Sequence, residues 1–216
     1  ALWLMDADAG NARQISGDIK TIFNSPKITP DGRYIVFSSK QSGSARIWRM
    51  DSEGKNLVQL TREKPNHGDF GPQITPDGKW VIYQEYASGA NADSAFMKVS
   101  IDGGEPAPLY KDAEFSVFNQ SISPDGKFLA YDSYRKKDFD KKVRIAPLEN
   151  DSLGQFTKEF EADLINNHTW SPDGKSLTFL SNRSGAPNLW RLPFDGSAPQ
   201  PLTDFKSGRI FNFAWS

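Results

Sequence analysis

Four times along the chain a polar cluster gives way to a run of consecutive apolar and aromatic positions: Tyr34-Ile35-Val36-Phe37, Trp80-Val81-Ile82-Tyr83, Phe128-Leu129-Ala130-Tyr131 and Ser176-Leu177-Thr178-Phe179. Strict alternation would predict strands with one buried face. These runs are apolar at adjacent positions, which predicts short strands buried on both faces. The cluster before each run is a repeat: Thr29-Pro30-Asp31-Gly32-Arg33, Thr75-Pro76-Asp77-Gly78-Lys79, Ser123-Pro124-Asp125-Gly126-Lys127 and Ser171-Pro172-Asp173-Gly174-Lys175, at steps of 46, 48 and 48 residues. Proline presets φ for a turn, Asp31, Asp77, Asp125 and Asp173 bond the local backbone, and Gly32, Gly78, Gly126 and Gly174 take the positive-φ position that closes a hairpin.

A strand before each turn is expected, for instance Phe118 to Ser123. A third follows at about Ala45 to Asp51, Ala95 to Asp102, Lys142 to Leu148 and Asn188 to Asp195, and a short fourth at Leu57 to Thr61, Pro106 to Tyr110, Gly154 to Thr157 and Gln200 to Thr203. Helical periodicity is weak throughout, Lys158 to Ile165 being its one faint instance. Four short antiparallel strands per repeat predict the blades of an all-β propeller. A two-sheet sandwich gives no reason for equal spacing.

The expected blades run over about 21–66, 67–114, 115–162 and 163–207, within one propeller domain spanning 1–216. Residues 1–20 read as the last two strands of a further blade, because Leu2-Trp3 aligns with Ile47-Trp48 and Leu189-Trp190. Residues 208–216 read as the start of another, its first strand supplied by Ile210 to Ser216, with Trp215-Ser216 repeating Trp170-Ser171. The expectation is thus a propeller fragment with four complete and two partial blades.

The succession Trp170-Ser171-Pro172-Asp173-Gly174-Lys175, Ser181-Asn182-Arg183-Ser184-Gly185, Asn188-Leu189-Trp190, Asp195-Gly196 and Leu202-Thr203 resembles the TolB-type, WD40-like propeller repeat of bacteria, and the likeness covers essentially the whole chain. The first repeat follows it through Ser38-Ser39-Lys40-Gln41-Ser42-Gly43. The third departs most, with Ser133-Tyr134-Arg135 and a charged run in place of the Ser-Arg-Gly loop. The WD signature is absent, since none of the six Trp residues precedes Asp. The resemblance implies a bacterial, extracytoplasmic, periplasmic binding module. It takes in TolB-like scaffolds that bind proteins, the gating propellers of prolyl oligopeptidase-like serine peptidases, and the C-terminal propellers of bacterial signalling proteins. The stretch Leu202 to Ser216 is most similar to the last.

Composition narrows the chemistry. The 216 residues carry 26 Lys+Arg against 27 Asp+Glu, a formal charge of -1, so no basic field holds a nucleic-acid backbone. Zero cysteines remove disulfides, thiolate metal sites and cysteine nucleophiles together. No apolar run approaches the roughly 20 residues of a membrane helix. The expectation is no nucleic-acid contact and no membrane insertion by this chain.

Two histidines, His67 and His168, and no Gly-x-Ser-x-Gly elbow leave catalysis without an assembled triad. Acidic turns such as Asp6-Ala7-Asp8-Ala9-Gly10 and Asp51-Ser52-Glu53-Gly54 lack the ligand series of a calcium loop, so no metal and no cofactor are expected. The run Arg135 to Lys142, with five positive and two negative charges, reads as a solvated hairpin. Binding is expected instead where the segments entering the inner strands converge on the channel mouth. Asn24, Asn119, Asn167 and Asn212 fall in these segments, with Asp69 and His168 beside them. A protein, peptide or small ligand is the expected partner there.

Overall fold

The repeated turn shows why each hairpin forms. In the computed structural model of the chain, the Thr29 hydroxyl donates to Asp31 Oδ1 at 2.6 Å and accepts the Tyr34 N–H at 3.0 Å, while the Arg33 N–H closes onto Asp31 Oδ1 at 3.0 Å. Gly32 adopts φ 72° and donates its N–H to Thr29 O at 2.8 Å. Ser123 and Ser171 repeat this arrangement with Asp125 and Asp173, and Gly78, Gly126 and Gly174 lie at φ 72°, 73° and 68°. A side-chain hydroxyl three residues before the glycine and an acceptor one residue before it fix the hairpin locally.

The structure describes residues 2–6, 8, 10–17, 19, 22–88, 93–138, 140–149, 152–161, 166–211 and 213–215, with the side chains of 22–25 and 166 left aside. Every regular element among them is a strand. A short pair, β1 (Trp3–Leu4) and β2 (Arg13–Gln14), opens the chain. The first sheet then runs β3 (Ile22–Ile28), β4 (Tyr34–Ser39), β5 (Arg46–Asp51) and β6 (Val58–Gln59). The second runs β7 (His67–Ile74), β8 (Trp80–Ala87), β9 (Ser94–Ser100) and β10 (Ala107–Lys111). The third comprises β11 (Phe115–Ile122), β12 (Phe128–Arg135), β13 (Lys141–Glu149), β14 (Ser152–Leu153) and β15 (Lys158–Glu161). The fourth is β16 (Asn166–Trp170), β17 (Ser176–Ser181), β18 (Asn188–Pro193) and β19 (Gln200–Pro201). Each sheet pairs its strands antiparallel in chain order, the meander of a propeller blade, except that in the third both β14 and β15 pair with β13.

The third sheet departs from expectation. Its outer strand is Lys158–Glu161 rather than Gly154 to Thr157, so the faint helical stretch is extended over 158–161, and 162–165 lie outside the described residues. Cross-strand charge explains it: Lys142 lies opposite Glu161 and Arg144 opposite Glu159, and Lys142 Nζ meets Glu161 Oε1 at 2.6 Å while Arg144 Nε meets Glu159 Oε2 at 2.8 Å. The first strand expected at 210–216 is not formed over 210–211 and 213–215, and 212 and 216 lie outside the described residues.

The chain divides into two units, Ala1–Lys111 and Asp112–Ser216. In the first, consecutive residues of β4 enter different cores. Ile35 and Phe37 pack with Ile15 and Met50, whereas Val36 packs with Ile47, Val81, Tyr83 and Val99 of the next sheet. In the second, Ala130, Val143 and Ile145 meet Trp170, Leu177 and Phe179. Each fully buried Val, Leu or Phe contributes about 1.5–3 kcal/mol, so the seams between adjacent sheets hold most of the apolar stabilisation of each unit.

Candidate functional site

The inner strands carry a shared irregularity. Pairing shifts register between Phe70 and Gln73, between Phe118 and Ser121, and between Asn166 and Thr169. At the shift, four residues before each turn's Thr or Ser, stand Gly71, Asn119 and Asn167, with φ 59°, 51° and 45°. This is a β-bulge closed by a left-handed residue, a conformation that glycine takes freely and asparagine tolerates best among the others. The recurrence of asparagine thus has a backbone cause. Asn119 and Asn167 are nonetheless exposed, so their amides are also open to a ligand. Counting back from Thr29 puts Ser25, not Asn24, at this position. The Asn24 side chain and Asn212 lie outside the described residues.

In the first unit, Asp69 follows the start of β7 and is buried against the first sheet. Its Oδ2 accepts the Thr61 hydroxyl at 2.5 Å and lies 3.5 Å from Arg46 Nη1. Arg46, wholly enclosed at the start of β5, donates to the carbonyls of Ala45, Lys64 and His67 at 2.8, 2.9 and 3.0 Å. One guanidinium therefore ties down the linker between the two sheets and faces the carboxylate beyond it. Burial pushes the Asp69 carboxyl up to about 6; Thr61 and Arg46 pull the other way, and Glu85 adds to the rise. His67 opens β7, with Nδ1 2.8 Å from Pro65 O, and serves the loop.

The second unit has its own polar seam. Asp132, in the middle of β12, is fully buried; its Oδ2 accepts the Asn119 amide at 2.9 Å and faces Lys141 Nζ at 3.2 Å. His168 Nε2 lies 3.2 Å from Asp132 Oδ1, while Nδ1 is 3.4 Å from Ser121 Oγ. Burial alone would raise the Asp132 carboxyl, but His168, Lys141 and Asn119 outweigh it and hold the group below its usual range. Three of the expected site residues thus meet or adjoin one network through Asp132, with Asn167 next to His168 in sequence.

Ser121, His168 and Asp132 contain the residue types of a hydrolytic triad. The His168 side chain has no exposed surface, so a substrate carbonyl has no path to Ser121 Oγ through it. The arrangement orders a seam. Two central residues, Arg46 and Asp132, were absent from the sequence candidates. Both had a readable signal: Arg46 is a charge between apolar Ala45 and Ile47, and Asp132 is a charge in a buried strand where the matching positions are the uncharged Ser38, Gln84 and Leu180.

The acidic turns have local explanations. Asp51 Oδ1 accepts the N–H groups of Lys55 and Glu53 at 2.7 and 3.0 Å, and Asp6 Oδ2 accepts the Asn11 amide at 2.6 Å. Among the described residues no three His, Asp or Glu side chains gather as metal ligands. The basic run is largely paired within its own unit: Arg135 with Asp138 at 3.2 Å, Lys141 with Asp132, and Lys142 with Glu161. No helix among the described residues is long and apolar enough to cross a membrane.

Comparison with known proteins agrees with this architecture. An uncharacterized protein of Agrobacterium fabrum is 28% identical over 194 residues, covering 88% of this chain and 61% of its own length. Among solved structures, TolB from Acinetobacter baumannii superposes with a TM-score of 0.67 at 19% identity, over 90% of this chain and 46% of that one. A puromycin-hydrolyzing peptidase of Mycobacterium tuberculosis gives 0.62 at 21% identity, over 84% and 30%. The chain thus spans about three fifths of its curated relative and under half of these two structures. At such identities the likeness to TolB and to a peptidase establishes the fold they share. The tricorn protease N-terminal beta propeller domain matches residues 1–216 from end to end, and this chain belongs to that family.

Proposed function

We propose that the chain is a non-catalytic binding module of the TolB-like kind, acting outside the bacterial cytoplasm as the sensor or interaction domain of a signalling protein or as a periplasmic scaffold. The observation that carries this reading is the pair of exposed asparagines, Asn119 and Asn167, set by the same bulge in neighbouring inner strands above the Asp132 network. A bulge re-aims a side chain without disturbing the sheet around it, which suits a ligand contact on a rigid scaffold. A protein, peptide or small ligand would be gripped through amide hydrogen bonds there, with His168 stabilising the seam beneath and Asp69 a further candidate contact in the first unit. The periplasmic placement rests on the kinship with TolB.

A second reading is favoured by the family and by the peptidase likeness: a substrate-gating propeller whose catalytic residues lie in another domain. The reading frame around this sequence separates the two. An adjoining kinase or winged-helix domain supports the sensor. A downstream α/β domain with a nucleophile elbow supports the gate and overturns the sensor.

A further inference from the structure

In the first unit, the aromatic residue that follows each turn carries a cation from its own sheet. The Arg49 guanidinium lies 4.3 Å from the Tyr34 ring centroid, and Lys98 Nζ lies 4.3 Å from that of Trp80. These cations occupy one register position, Arg49 opposite Val36 and Lys98 opposite Ile82. In the third sheet the same position, opposite Ala130, is Ile145. The aromatic residue, Phe128, therefore has no cation from that position. Beside it opens a cleft lined by Pro124, Asp125, Phe128, Trp170, Pro172 and Asp173, between the turns of the third and fourth sheets.

The cleft is held in shape. The Trp170 ring lies 6.4 Å from Phe128, meets the Phe194 ring edge-on at 5.3 Å, and donates its indole N–H to Ser121 O at 3.0 Å. Both carboxylates are kept ionised by their turns: the Ser123 hydroxyl and Lys127 N–H hold Asp125 below its usual range, and Ser171 and Lys175 do the same for Asp173. Asp125 spends Oδ1 on its turn, and its carboxylate feels the charge of Lys127, the residue that closes the turn. Asp173 Oδ2 lies 3.4 Å from Arg191 Nη2.

We propose that this cleft binds the guanidinium of an arginine side chain on a partner peptide, laying it against the partly exposed Phe128 ring, with Trp170 as the buried wall behind and Asp125 Oδ2 as its acceptor. A planar fork suits a flat aromatic face and a carboxylate edge better than a compact, strongly hydrated ammonium. The ligand supplies the cation that Arg49 and Lys98 supply internally in the first unit. The site shares no residue with the asparagine bulges, so either can fail while the other stands.

The test is a titration of acetyl-Gly-Arg-Gly-amide into isotopically labelled chain, followed by NMR. The expected result is a dissociation constant of about 1–10 mM, read from the Trp170 indole and the Gly126 and Gly174 amides. A citrulline peptide should leave these signals in place. Asp125→Asn, which keeps the Oδ1 acceptor of the turn but loses the charge, should weaken binding about fivefold or more in a chain whose remaining amide signals stay those of the folded protein; Phe128→Leu, which removes the ring and leaves the turn intact, should weaken it likewise and serves if the first variant melts early. Equal shifts with citrulline, tighter binding of the lysine peptide, full affinity in a folded variant, or no shift by about 50 mM would each overturn the proposal.

Discussion

Asp132 of β12 and His168 of β16 meet across the seam between the third and fourth sheets at 3.2 Å, and neither side chain is more than 1% exposed. The carboxylate also anchors Asn119 and Lys141, so removing it leaves the buried His168 without its charge partner and frees two further polar groups. Asp132→Ala should therefore cost about 3 kcal/mol of unfolding free energy, and Asp132→Asn less, as read from urea midpoints. A cost under about 0.5 kcal/mol for the alanine would show the network to be unimportant for stability. Because the folded carboxyl lies below its usual range, its stabilisation is present at neutral pH and is lost as pH falls through and below about 4.

Asp69 should behave with the opposite sign. Its carboxyl is raised from 3.8 to about 6, so between these values the folded chain holds the proton more tightly than the unfolded chain does. Stability from this group is fully present below about pH 4 and falls as pH rises to about 6, a swing on the order of 3 kcal/mol. Asp69→Asn should flatten that slope. Parallel stability profiles of wild type and variant between pH 4 and 7 would contradict it.

Two glycines with similar backbone angles should respond differently to alanine. Gly54 and Gly103 have φ 79° and 92°, but a Cβ at Gly54 would sit 2.0 Å from the Ile15 carbonyl oxygen, whereas nothing lies within 4 Å at Gly103. Gly103→Ala should cost about 1 kcal/mol, from strain in the left-handed region alone. Gly54→Ala should cost at least about 2 kcal/mol more, because the backbone of the opening strand pair must move. Equal melting temperatures for the two would show that the contact with Ile15 yields easily.

The blade architecture was legible because its determinants are local. Thr29-Pro30-Asp31-Gly32 and its copies close their own hairpins, and Ile35-Val36-Phe37 announces burial on both faces. What was hidden depends on partners distant in sequence. Lys158 to Glu161 reads as weakly helical until Lys142 and Arg144 lie opposite it. Arg46 and Asp132 take their meaning from Asp69 and His168 on neighbouring strands. The asparagines were visible as a recurrence, but the bulge that explains Asn119 and Asn167 appears only as a register shift.

That bulge also supplies the most direct test of the account. Glycine accepts the left-handed backbone of Asn119 and Asn167 without strain and lacks the amide, so Asn167→Gly separates support of the fold from contact with a ligand, whereas Asn119→Gly also removes one donor to Asp132. Peptides selected from a random library against the immobilised wild-type chain would be the probe, with affinities measured by calorimetry for wild type and the double glycine variant. The account predicts a melting temperature within a few degrees of wild type and an affinity at least about tenfold weaker, as expected for two lost amide contacts. Undiminished affinity in a folded double variant would contradict a binding role for these asparagines and leave them as residues of the bulge alone.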